Sequence, residues 1–417
     1  MRSRLDIDRL GVIMSPAPGL EREAQGILNP AAARSPAGEL LLFPRMVAPG
    51  NYSRIGIARV VFDRSGEPVA AERLGVALEP TEEYERGLDW AGCEDPRVSF
   101  VEPLGLYLMT YTALTLSGPR VAVAESRDLT TWRKRGLVRF DGSMGDLLDA
   151  VDNKDACFFP GTVPGPDGAQ SFALLHRPLF PGTRPEETAL AHPERRVDRR
   201  RESIWLSYVP ENKWQPDGPL SPFSGHHLLA SPVARWERLK VGAGTPPVLT
   251  NLGWLLFYHG VGTDGPHTTE RRLRYAAGFM MLDTIDPRIV RFRSQHPVLS
   301  PLTQAETSGV TADVVFPTGI DQRRDIGRGG RFDVYYGMAD DRIGVGRFDL
   351  PSHLPASSPA QSLQAFVERN LDMLGRAHRA GVPIAMGSDA VMTMFGENTR
   401  ELEWFVAAGF TPAEALR

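Results

Sequence analysis

A pair of short strands that recurs five times constrains the fold more than any other feature of this sequence. Between residues 25 and 350, apolar residues come in short runs with a period near two, broken by Gly, Pro, Asp and Asn. This pattern is typical of antiparallel strands. In each repeat, a strand rich in Leu, Tyr and Phe precedes one that alternates small and apolar residues. The five pairs are 39–45 with 53–62, 106–112 with 120–126, 171–177 with 203–209, 253–260 with 274–283, and 331–337 with 343–348.

The spacing of the pairs, roughly 70 residues per repeat, predicts an all-β protein folded as a five-bladed β-propeller over residues 1–350. A ring of blades leaves only short, protected strand edges. The chain also contains 41 glycines and 35 prolines, which suits a fold with many tight turns. The pattern alone also admits a β-sandwich with long insertions, although the spacing favours blades.

The character of the chain changes after residue 350. Residues 351–361 begin with a Pro- and Ser-rich stretch and are predicted to be a linker. Residues 362–380 and 401–408 show the apolar spacing of helices, and a short apolar strand is predicted at 382–386 between them. Residues 362–417 are therefore predicted to form a small C-terminal α/β appendage of helix–strand–helix type.

Composition and charge exclude several classes of function. The net charge of −4 gives no positive field for nucleic acid or for an anionic membrane. Two cysteines, Cys93 and Cys157, are too few for a disulfide framework or a Cys-based zinc site. The first residues carry no apolar run of signal-peptide length, and no stretch approaches a membrane span. We therefore expect a cytoplasmic protein.

The densest chemical cluster is Gly92-Cys93-Glu94-Asp95-Pro96-Arg97, just before a predicted strand. An arginine near a carboxylate holds it ionised, whereas a partly apolar site raises its pKa towards that of an acid catalyst. Taken alone, such a cluster is more often a turn with a local ion pair. The cluster therefore leaves both a structural and a catalytic interpretation open.

Further motifs follow in a fixed order along the chain. They include Ser126-Arg127-Asp128-Leu129-Thr130-Thr131-Trp132, Asn153-Lys154-Asp155, Leu175-His176-Arg177-Pro178, Lys240-Val241-Gly242-Ala243-Gly244, Phe257-Tyr258-His259-Gly260 and Tyr335-Tyr336-Gly337-Met338-Ala339-Asp340. Together with the Glu94-Asp95-Pro96-Arg97 motif, they resemble the β-mannoside phosphorylases of glycoside hydrolase family 130. The resemblance covers roughly residues 25–350.

The resemblance implies a propeller whose site lies at the central depression. It implies phosphorolysis of a β-mannoside by one inverting displacement, which gives α-mannose 1-phosphate. The matching aspartate, Asp95, is then the general acid, and in part of the family its proton is thought to pass through a sugar hydroxyl. The implied phosphate-binding residues are Arg177, Lys240, His259, Tyr275, Asn153 and Lys154. The implied sugar-binding residues are Asn29, Arg45, Ser53, Arg54, Arg97 and Asp340, with Trp254, Tyr258 and Tyr336 as aromatic faces.

The resemblance implies inorganic phosphate as co-substrate, a β-mannoside oligosaccharide as partner, and neither metal nor cofactor. A homo-oligomer is possible on this evidence. Two alternatives remain open: a β-mannosidase that uses water on the same fold, and a propeller that binds sugar without catalysis. The hydrolases of this family use glutamates as bases, and Glu306 is a candidate for that role. Two departures from the family pattern are Thr245 and the long charged stretch at 183–202.

The C-terminal 55 residues or so resemble the last barrel strand of metal-dependent amidohydrolases. In those enzymes the aspartate of a Gly-Ser-Asp motif, here Asp389, acts at the metal centre. The chain contains no His-X-His pair to complete such a centre. Because one carboxylate cannot hold a catalytic zinc by itself, no metal hydrolase activity is expected.

Overall fold

The computed structural model describes residues 5–86, 92–142, 144–180, 202–263, 272–327 and 329–354, and short C-terminal stretches at 374–375, 377–380, 405–406 and 409–415. The chain divides into two compact units, Met1–Leu354 and Pro355–Arg417. The predicted strand at 382–386, Asp389 and most of the predicted linker lie outside the described residues. The organisation of 362–417 thus stays a prediction. Among the described residues, no helix is long and apolar enough to cross a bilayer.

The described part of the first unit is built from 21 strands. In chain order they are β1 (Asp8–Met14), β2 (Ile27–Arg34), β3 (Leu40–Ala48), β4 (Tyr52–Phe62), β5 (Pro68–Leu78), β6 (Cys93–Val101), β7 (Leu106–Thr115), β8 (Gly118–Ser126), β9 (Arg133–Leu137), β10 (Asp152–Pro164), β11 (Gln170–Leu179), β12 (Ile204–Pro210), β13 (Ser224–Ala230), β14 (Lys240–Ala243), β15 (Val248–Thr250), β16 (Gly253–Thr263), β17 (Leu273–Leu282), β18 (Val290–Arg293), β19 (Val315–Gln322), β20 (Arg331–Met338) and β21 (Arg342–Asp349). The described helices are α1 (Gly145–Ala150), α2 (Gln304–Thr307) and α3 (Pro412–Ala415), with 3₁₀ turns at Glu21–Glu23, Glu83–Glu85, Glu102–Leu104, Glu211–Lys213, Arg235–Glu237 and Arg324–Ile326.

These strands form five antiparallel sheets, which are the blades of a propeller. Blades 1 to 3 are β2 to β5, β6 to β9 and β10 to β13, each in sequence order. Blade 4 has the order β14-β16-β17-β18, with β15 also paired to β16, and blade 5 has the order β19-β20-β21-β1. The first strands of neighbouring blades contact one another around the centre, where β2 touches both β19 and β6, and β10 touches both β6 and β14.

Five apolar cores hold the blades together, one between each pair of neighbours. Successive side chains of a strand point to opposite faces of its sheet. In β16, Leu255 and Phe257 pack towards blade 5, whereas Trp254 and Leu256 pack towards blade 3. Each sheet is therefore buried on both faces, which a two-sheet sandwich cannot achieve.

The ring closes where the first and last blades meet. The N-terminal strand β1 pairs with β21 and completes blade 5. Arg323 of blade 5, with no exposed side-chain surface, donates through Nη1 to Asp333 Oδ2 (2.6 Å) and through Nη2 to the Gly66 carbonyl of blade 1 (2.7 Å). Because a buried charge needs partners, the Arg323 guanidinium ties the two blades together.

All five predicted strand pairs are neighbours in the structure. They correspond to β3 with β4, β7 with β8, β11 with β12, β16 with β17, and β20 with β21, each antiparallel. The prediction of a five-bladed propeller is thus confirmed, and the sandwich alternative is wrong. The first strands of the blades were not predicted, and they are the strands that carry most of the site.

Candidate active site

A cavity of about 730 Å³ lies at the beginning of the first strands of the blades. Each of these strands places a side chain in its wall: Asn29 in β2, Asp95 in β6, Lys154 in β10, Lys240 in β14 and Phe316 in β19. The rest of the wall consists of Ala24, Gln25, Leu28, Arg45, Val47, Asn51, Asp155, Arg177, His259, Tyr275, Val310, Thr311, Val314 and Asp340. The sequence positions that converge here are up to 316 residues apart, from Ala24 to Asp340.

Three of the first strands share a local distortion. Asn29, Asp95 and Asp155 have φ angles of 45°, 46° and 53°, in the left-handed region. The pairing register shifts at each of these places, between Leu28 and Ala31, between Glu94 and Arg97, and between Lys154 and Cys157. Such bulges redirect side chains, and Asn and Asp tolerate the left-handed conformation better than most residues.

One end of the cavity is built around Asp95. Its Oδ1 accepts hydrogen bonds from Asn29 Nδ2 (2.9 Å) and from Arg45 Nη1 (3.4 Å). Arg45 is held in turn by Glu94, whose Oε1 lies 2.6 Å from Nη2, and by Ser53, whose Oγ lies 3.0 Å from Nε. Burial raises the pKa of Glu94, and Arg45 opposes that rise. Arg45 is thereby fixed against the Asp95 carboxyl, whose second oxygen makes none of these bonds.

Asp340 lies in the wall near Asp95. Burial, together with the negative charge of Asp95, raises the pKa of the Asp340 carboxyl, against the opposing effects of Thr311 and Arg45. A carboxylate, an amide and a guanidinium around one space are the usual partners of sugar hydroxyls. This end of the cavity therefore has the donors and acceptors that a neutral polar ligand needs.

The opposite end is strongly basic. Lys154, Arg177 and Lys240 lie in the wall, and the buried Arg97 guanidinium lies behind it, 3.5 Å from Asp155 Oδ1. Arg177 Nε donates to Asp155 Oδ2 (2.6 Å). Arg177 also contacts the carboxylate of Glu202. Four cationic side chains thus surround two carboxylates, which leaves two positive charges in excess.

In this basic end, desolvation and nearby positive charge have opposite effects on the pKa of Asp155 but the same effect on the pKa of Lys154. Burial by itself disfavours ionisation of Asp155, but Arg177 and the other nearby cations lower the pKa of its carboxyl below the usual value. Burial lowers the pKa of Lys154, and repulsion from Arg177 adds to this effect. An anion bound here would be attracted by cations that are only weakly screened by water.

His259 and two aromatic rings complete the basic end. The imidazole lies 4.3 Å from the Phe316 ring and 6.3 Å from the Tyr275 ring, measured between centroids. The Lys240 ammonium lies 5.3 Å from the centre of the Tyr275 ring. Gly242 permits this packing, since a Cβ there would lie 2.4 Å from both Asp155 Oδ2 and His259 Cε1.

The structure brings together nine of the residues predicted for the site, and they line one cavity: Asn29, Arg45, Asp95, Lys154, Arg177, Lys240, His259, Tyr275 and Asp340. Ser53 and Arg97 lie behind this wall and touch its members. Arg97 donates to the Gly244 carbonyl (3.0 Å) and to the Asp95 carbonyl (2.6 Å), so its hydrogen bonds are to backbone.

Two further predicted residues neither line the cavity nor support its wall directly. Arg54 follows Ser53 in β4 and pairs with Glu79, whose Oε2 lies 2.7 Å from Arg54 Nε. Asn153 precedes Lys154 in β10 and bonds His176, with 3.0 Å between Nδ2 and Nδ1. In both cases the physical reason is strand alternation, since the neighbouring side chain faces the cavity side.

Asn153 belongs to a buried polar chain. His176 Nε2 bonds Ser207 Oγ (2.8 Å), Ser207 Oγ bonds His226 Nδ1 (2.8 Å), and His226 Nε2 bonds the Asp141 carbonyl (2.8 Å). Burial lowers the pKa of His176 to about 3, and the proximity of His226 contributes. The chain therefore requires a neutral His176 in the folded protein.

This requirement predicts a loss of stability in acid. Below pH 6.5 the unfolded chain binds a proton at His176 that the folded protein does not bind until about pH 3, so stability falls as the pH falls through this window. Between pH 7 and pH 5 the His176 contribution to the free energy of unfolding should fall by about 2 kcal/mol. The free energy of unfolding can be measured by urea denaturation at pH 7 and at pH 5. Between these pH values, His176→Gln should lose about 2 kcal/mol less stability than the wild-type protein loses. An identical loss in both proteins would contradict the prediction.

Other candidates prove to be structural. Trp254, Tyr258 and Tyr336 are buried between blades and do not line the cavity, so they offer no sugar-stacking face there. Glu306 is buried as well, and it accepts hydrogen bonds from Arg9 Nε (2.8 Å), Tyr336 Oη (3.0 Å) and two backbone N–H groups of the α2 capping box. Its carboxylate is thus committed to holding α2, not to the cavity.

Some wall residues were not predicted from the sequence. Asp155 was part of a recognised motif, but its place among the cations depends on the bulge in β10. Gln25, Asn51 and Thr311 belong to loops or turns, and only the fold brings them to the wall. Within the described ranges, no group of three or more His, Cys, Asp and Glu side chains could hold a metal ion.

Comparison with known proteins shows that the chain is similar to the members of one enzyme family. The model of glycoside hydrolase family 130, described as beta-1,4-mannooligosaccharide phosphorylase, matches residues 8–352. The 1,2-beta-oligomannan phosphorylase of Thermoanaerobacter sp. (strain X514) is 28% identical over 346 residues, which are 81% of this chain and 95% of that protein. The beta-1,2-mannobiose phosphorylase of Listeria innocua serovar 6a is 29% identical over 264 residues, which are 63% of this chain and 58% of that protein.

A solved structure of a beta-1,2-mannobiose phosphorylase from Listeria innocua, in complex with beta-1,2-mannobiose, has the same fold. It superposes with a TM-score of 0.59 at 23% identity and covers 81% of this chain and 94% of that chain. At this identity the likeness establishes the fold alone. The match to the family model ends at residue 352, before the second compact unit, so the family model does not bear on residues 355–417.

Proposed function

This chain belongs to glycoside hydrolase family 130, and from that premise we propose that it is a β-mannoside phosphorylase. In the proposed reaction, inorganic phosphate cleaves a β-mannosidic bond and yields α-mannose 1-phosphate and a sugar shortened by one mannose. The family membership supports a glycosyl-transferring enzyme. The proposal includes both β-1,2- and β-1,4-mannosides as substrates, because the two relatives are named for β-1,2 linkages and the family model is described by a β-1,4 linkage.

The observation that carries the proposal is the basic end of the cavity. Four cations against two carboxylates leave an excess of two positive charges, which matches the charge of a phosphate dianion. Lysine and arginine bind phosphate through charge-assisted hydrogen bonds. A water nucleophile would need no such cations. The excess positive charge therefore supports phosphate as the nucleophile.

The Asp95 end would supply the proton. Phosphate attacks the anomeric carbon from the basic end, and the bond to the leaving oxygen breaks as that oxygen takes a proton derived from Asp95. An inverting hydrolase needs a second carboxyl group as base for its water. Phosphate replaces both the water and the base, so one carboxyl suffices. Arg45 and Asn29 hold Oδ1 of Asp95, which leaves Oδ2 for the proton.

The remaining polar groups of the wall would hold sugar. Asp340, Arg45 and Asn29 lie around Asp95, where the scissile bond must sit in this proposal. Gln25, Asn51 and Thr311 would reach the second sugar from the surrounding loops. All of these groups can exchange hydrogen bonds with neutral hydroxyls.

The decisive experiment compares turnover with and without phosphate. The protein is incubated with β-1,2- and β-1,4-mannobiose in phosphate buffer and in a phosphate-free buffer of equal ionic strength, and the products are identified. We expect mannose 1-phosphate, formed only when phosphate is present. Free mannose released at the same rate in both buffers would indicate a β-mannosidase instead. Binding of mannobiose with no product in either buffer would indicate a non-catalytic sugar-binding propeller.

A further inference from the structure

The cations of the basic end can only donate hydrogen bonds. Arginine and lysine side chains have no acceptor, so the wall residues Lys154, Arg177 and Lys240 can bind oxygens of an anion but not a hydroxyl proton. Hydrogen phosphate carries one hydroxyl, and that hydroxyl needs an acceptor. Asp155, Tyr275 and His259 are the acceptors that the described wall offers at this end.

Asp155 is already committed to cations. Its Oδ2 accepts from Arg177 Nε at 2.6 Å, and its Oδ1 lies 3.5 Å from Arg97 Nη2. A carboxylate that holds two guanidinium groups in place would lose these contacts if it turned to a ligand. Asp155 therefore holds the guanidinium groups in position. Of the three side chains, this leaves His259 and Tyr275 as candidates to accept the hydrogen bond from the phosphate hydroxyl.

His259 is a buried polar side chain without a partner. Its side chain is 0% exposed, and among the described residues neither Nδ1 nor Nε2 has a hydrogen-bond partner. Nearly all buried polar atoms in folded proteins are paired, so an unpaired one in a cavity wall calls for a ligand. Because His259 lies in the wall beside the cations of the basic end, the expected ligand is the anion bound by these cations.

The surroundings keep His259 neutral. Burial lowers the pKa of His259 well below its usual value, and Arg177, Arg97 and Lys240 act in the same direction, whereas Asp155 opposes. A neutral imidazole has one N–H donor and one acceptor nitrogen. Nε2 is the nitrogen near the Asp155 carboxylate, 3.5 Å from Oδ2, which favours the proton on Nε2 and leaves Nδ1 as the acceptor.

We propose that neutral His259 accepts a hydrogen bond from the single hydroxyl of hydrogen phosphate. The basic end then selects oxyanions that carry a proton over dianions of equal charge that lack one. This inference deepens the proposed function and rests on it for the identity of the anion. It makes His259 a specificity-determining residue, because a site built to accept a hydrogen bond discriminates against an analogue that cannot donate it.

The test on the unmodified protein is a calorimetric titration with four dianions at about pH 8, where the second proton of phosphate is already lost. Hydrogen phosphate and hydrogen arsenate carry a hydroxyl, whereas sulfate and fluorophosphate have nearly the same size and charge without one. We expect the first two to bind within about 10-fold of each other, and the other two to bind roughly 10²-fold more weakly or worse. Sulfate or fluorophosphate binding within 10-fold of phosphate would overturn the proposal.

Two variants locate the acceptor. His259→Phe keeps a flat ring against Phe316 and removes the acceptor, so the ratio of phosphate to fluorophosphate affinity should fall towards one. The matched control Tyr275→Phe removes the other hydroxyl-binding group and should leave that ratio unchanged. A ratio that survives in His259→Phe and collapses in Tyr275→Phe would assign the role to Tyr275 and overturn the proposal.

These titrations need no turnover, so the two proposals fail separately. Selectivity for protonated anions without formation of mannose 1-phosphate would contradict the phosphorylase function alone. Formation of mannose 1-phosphate by a protein that binds sulfate as well as phosphate would contradict only the role of His259.

Discussion

Asp95→Asn should lower the rate of mannobiose phosphorolysis by roughly 10²–10⁴-fold, the usual contribution of a general acid. Asparagine has nearly the shape of aspartate and can still accept hydrogen bonds from Asn29 and Arg45 at its amide oxygen, so the wall should keep its form. The amide has no proton of suitable acidity for the leaving oxygen. Substrate affinity should therefore change far less than turnover, as steady-state kinetics with mannobiose and phosphate would measure.

A substrate with an acidic leaving group provides the control. The bond to a dinitrophenyl group breaks without protonation, so an aryl β-mannoside should be cleaved by Asp95→Asn at nearly the wild-type rate. Equal losses on mannobiose and on the aryl mannoside would point to a damaged site and not to a missing acid. Near-normal turnover of mannobiose would remove Asp95 from the mechanism.

Lys240→Ala should raise the Michaelis constant for phosphate roughly 10–150-fold, because a dianion loses a charge-assisted hydrogen bond of about 1.5–3 kcal/mol. The constant for the neutral sugar should change little. Lys240 suits this test better than Arg177, whose guanidinium also pairs with Asp155 and Glu202. Removal of Arg177 would take a cation away from two buried carboxylates, those of Asp155 and Glu202, and so destabilise the fold.

The control for Lys240→Ala is Arg54→Ala. Arg54 was predicted to bind sugar, but it pairs with Glu79 away from the cavity wall. Its removal should leave both Michaelis constants within about twofold of the wild-type values, since exposed ion pairs contribute little. A large change in the sugar constant of Arg54→Ala would show that the cavity extends to that side chain. Equal increases for both substrates in Lys240→Ala would argue against a phosphate site.

The fold was predictable because each blade repeats one local pattern. The paired strands of a blade are consecutive in sequence, so period-two patterning identifies them whether the connection is short, as between β7 and β8, or long, as between β11 and β12. The first strands are harder to detect. Sequences such as Asn29-Pro30 and Asp95-Pro96 interrupt the alternation, because these strands bulge where they meet the cavity. The bulge that breaks the period-two pattern, and so makes the strand hard to predict, is also what directs the side chain into the cavity wall.

The predictions for Arg54 and Asn153 did not take strand alternation into account. Ser53 with Arg54, and Asn153 with Lys154, are adjacent in a strand and were assigned together. Alternation allows only one of each pair to face the cavity side. The contact between Asp155 and Gly242 could not be predicted from the sequence. Asp155 lies in β10 and Gly242 in β14 of the next blade, and neither segment by itself contains the information that the two residues meet. An Asn or Asp at a bulge, as at Asn29, Asp95 and Asp155, is a signal that could have identified the wall positions of the first strands.

The pairing of β1 with β21 also has a consequence for how the protein folds during synthesis. Strand β1 leaves the ribosome before the five blades are made, and its partner lies more than 300 residues later in the chain. Blades 1 to 4 each complete their own sheets from consecutive segments, so they can form as they emerge, at about 5–20 residues per second. Blade 5 cannot. Its outer strand must wait unpaired until the last blade is made, which leaves Ile13 and Met14 of β1, both buried in the folded protein, exposed for tens of seconds on that scale. Strand β1 therefore stays prone to aggregation until blade 5 is complete.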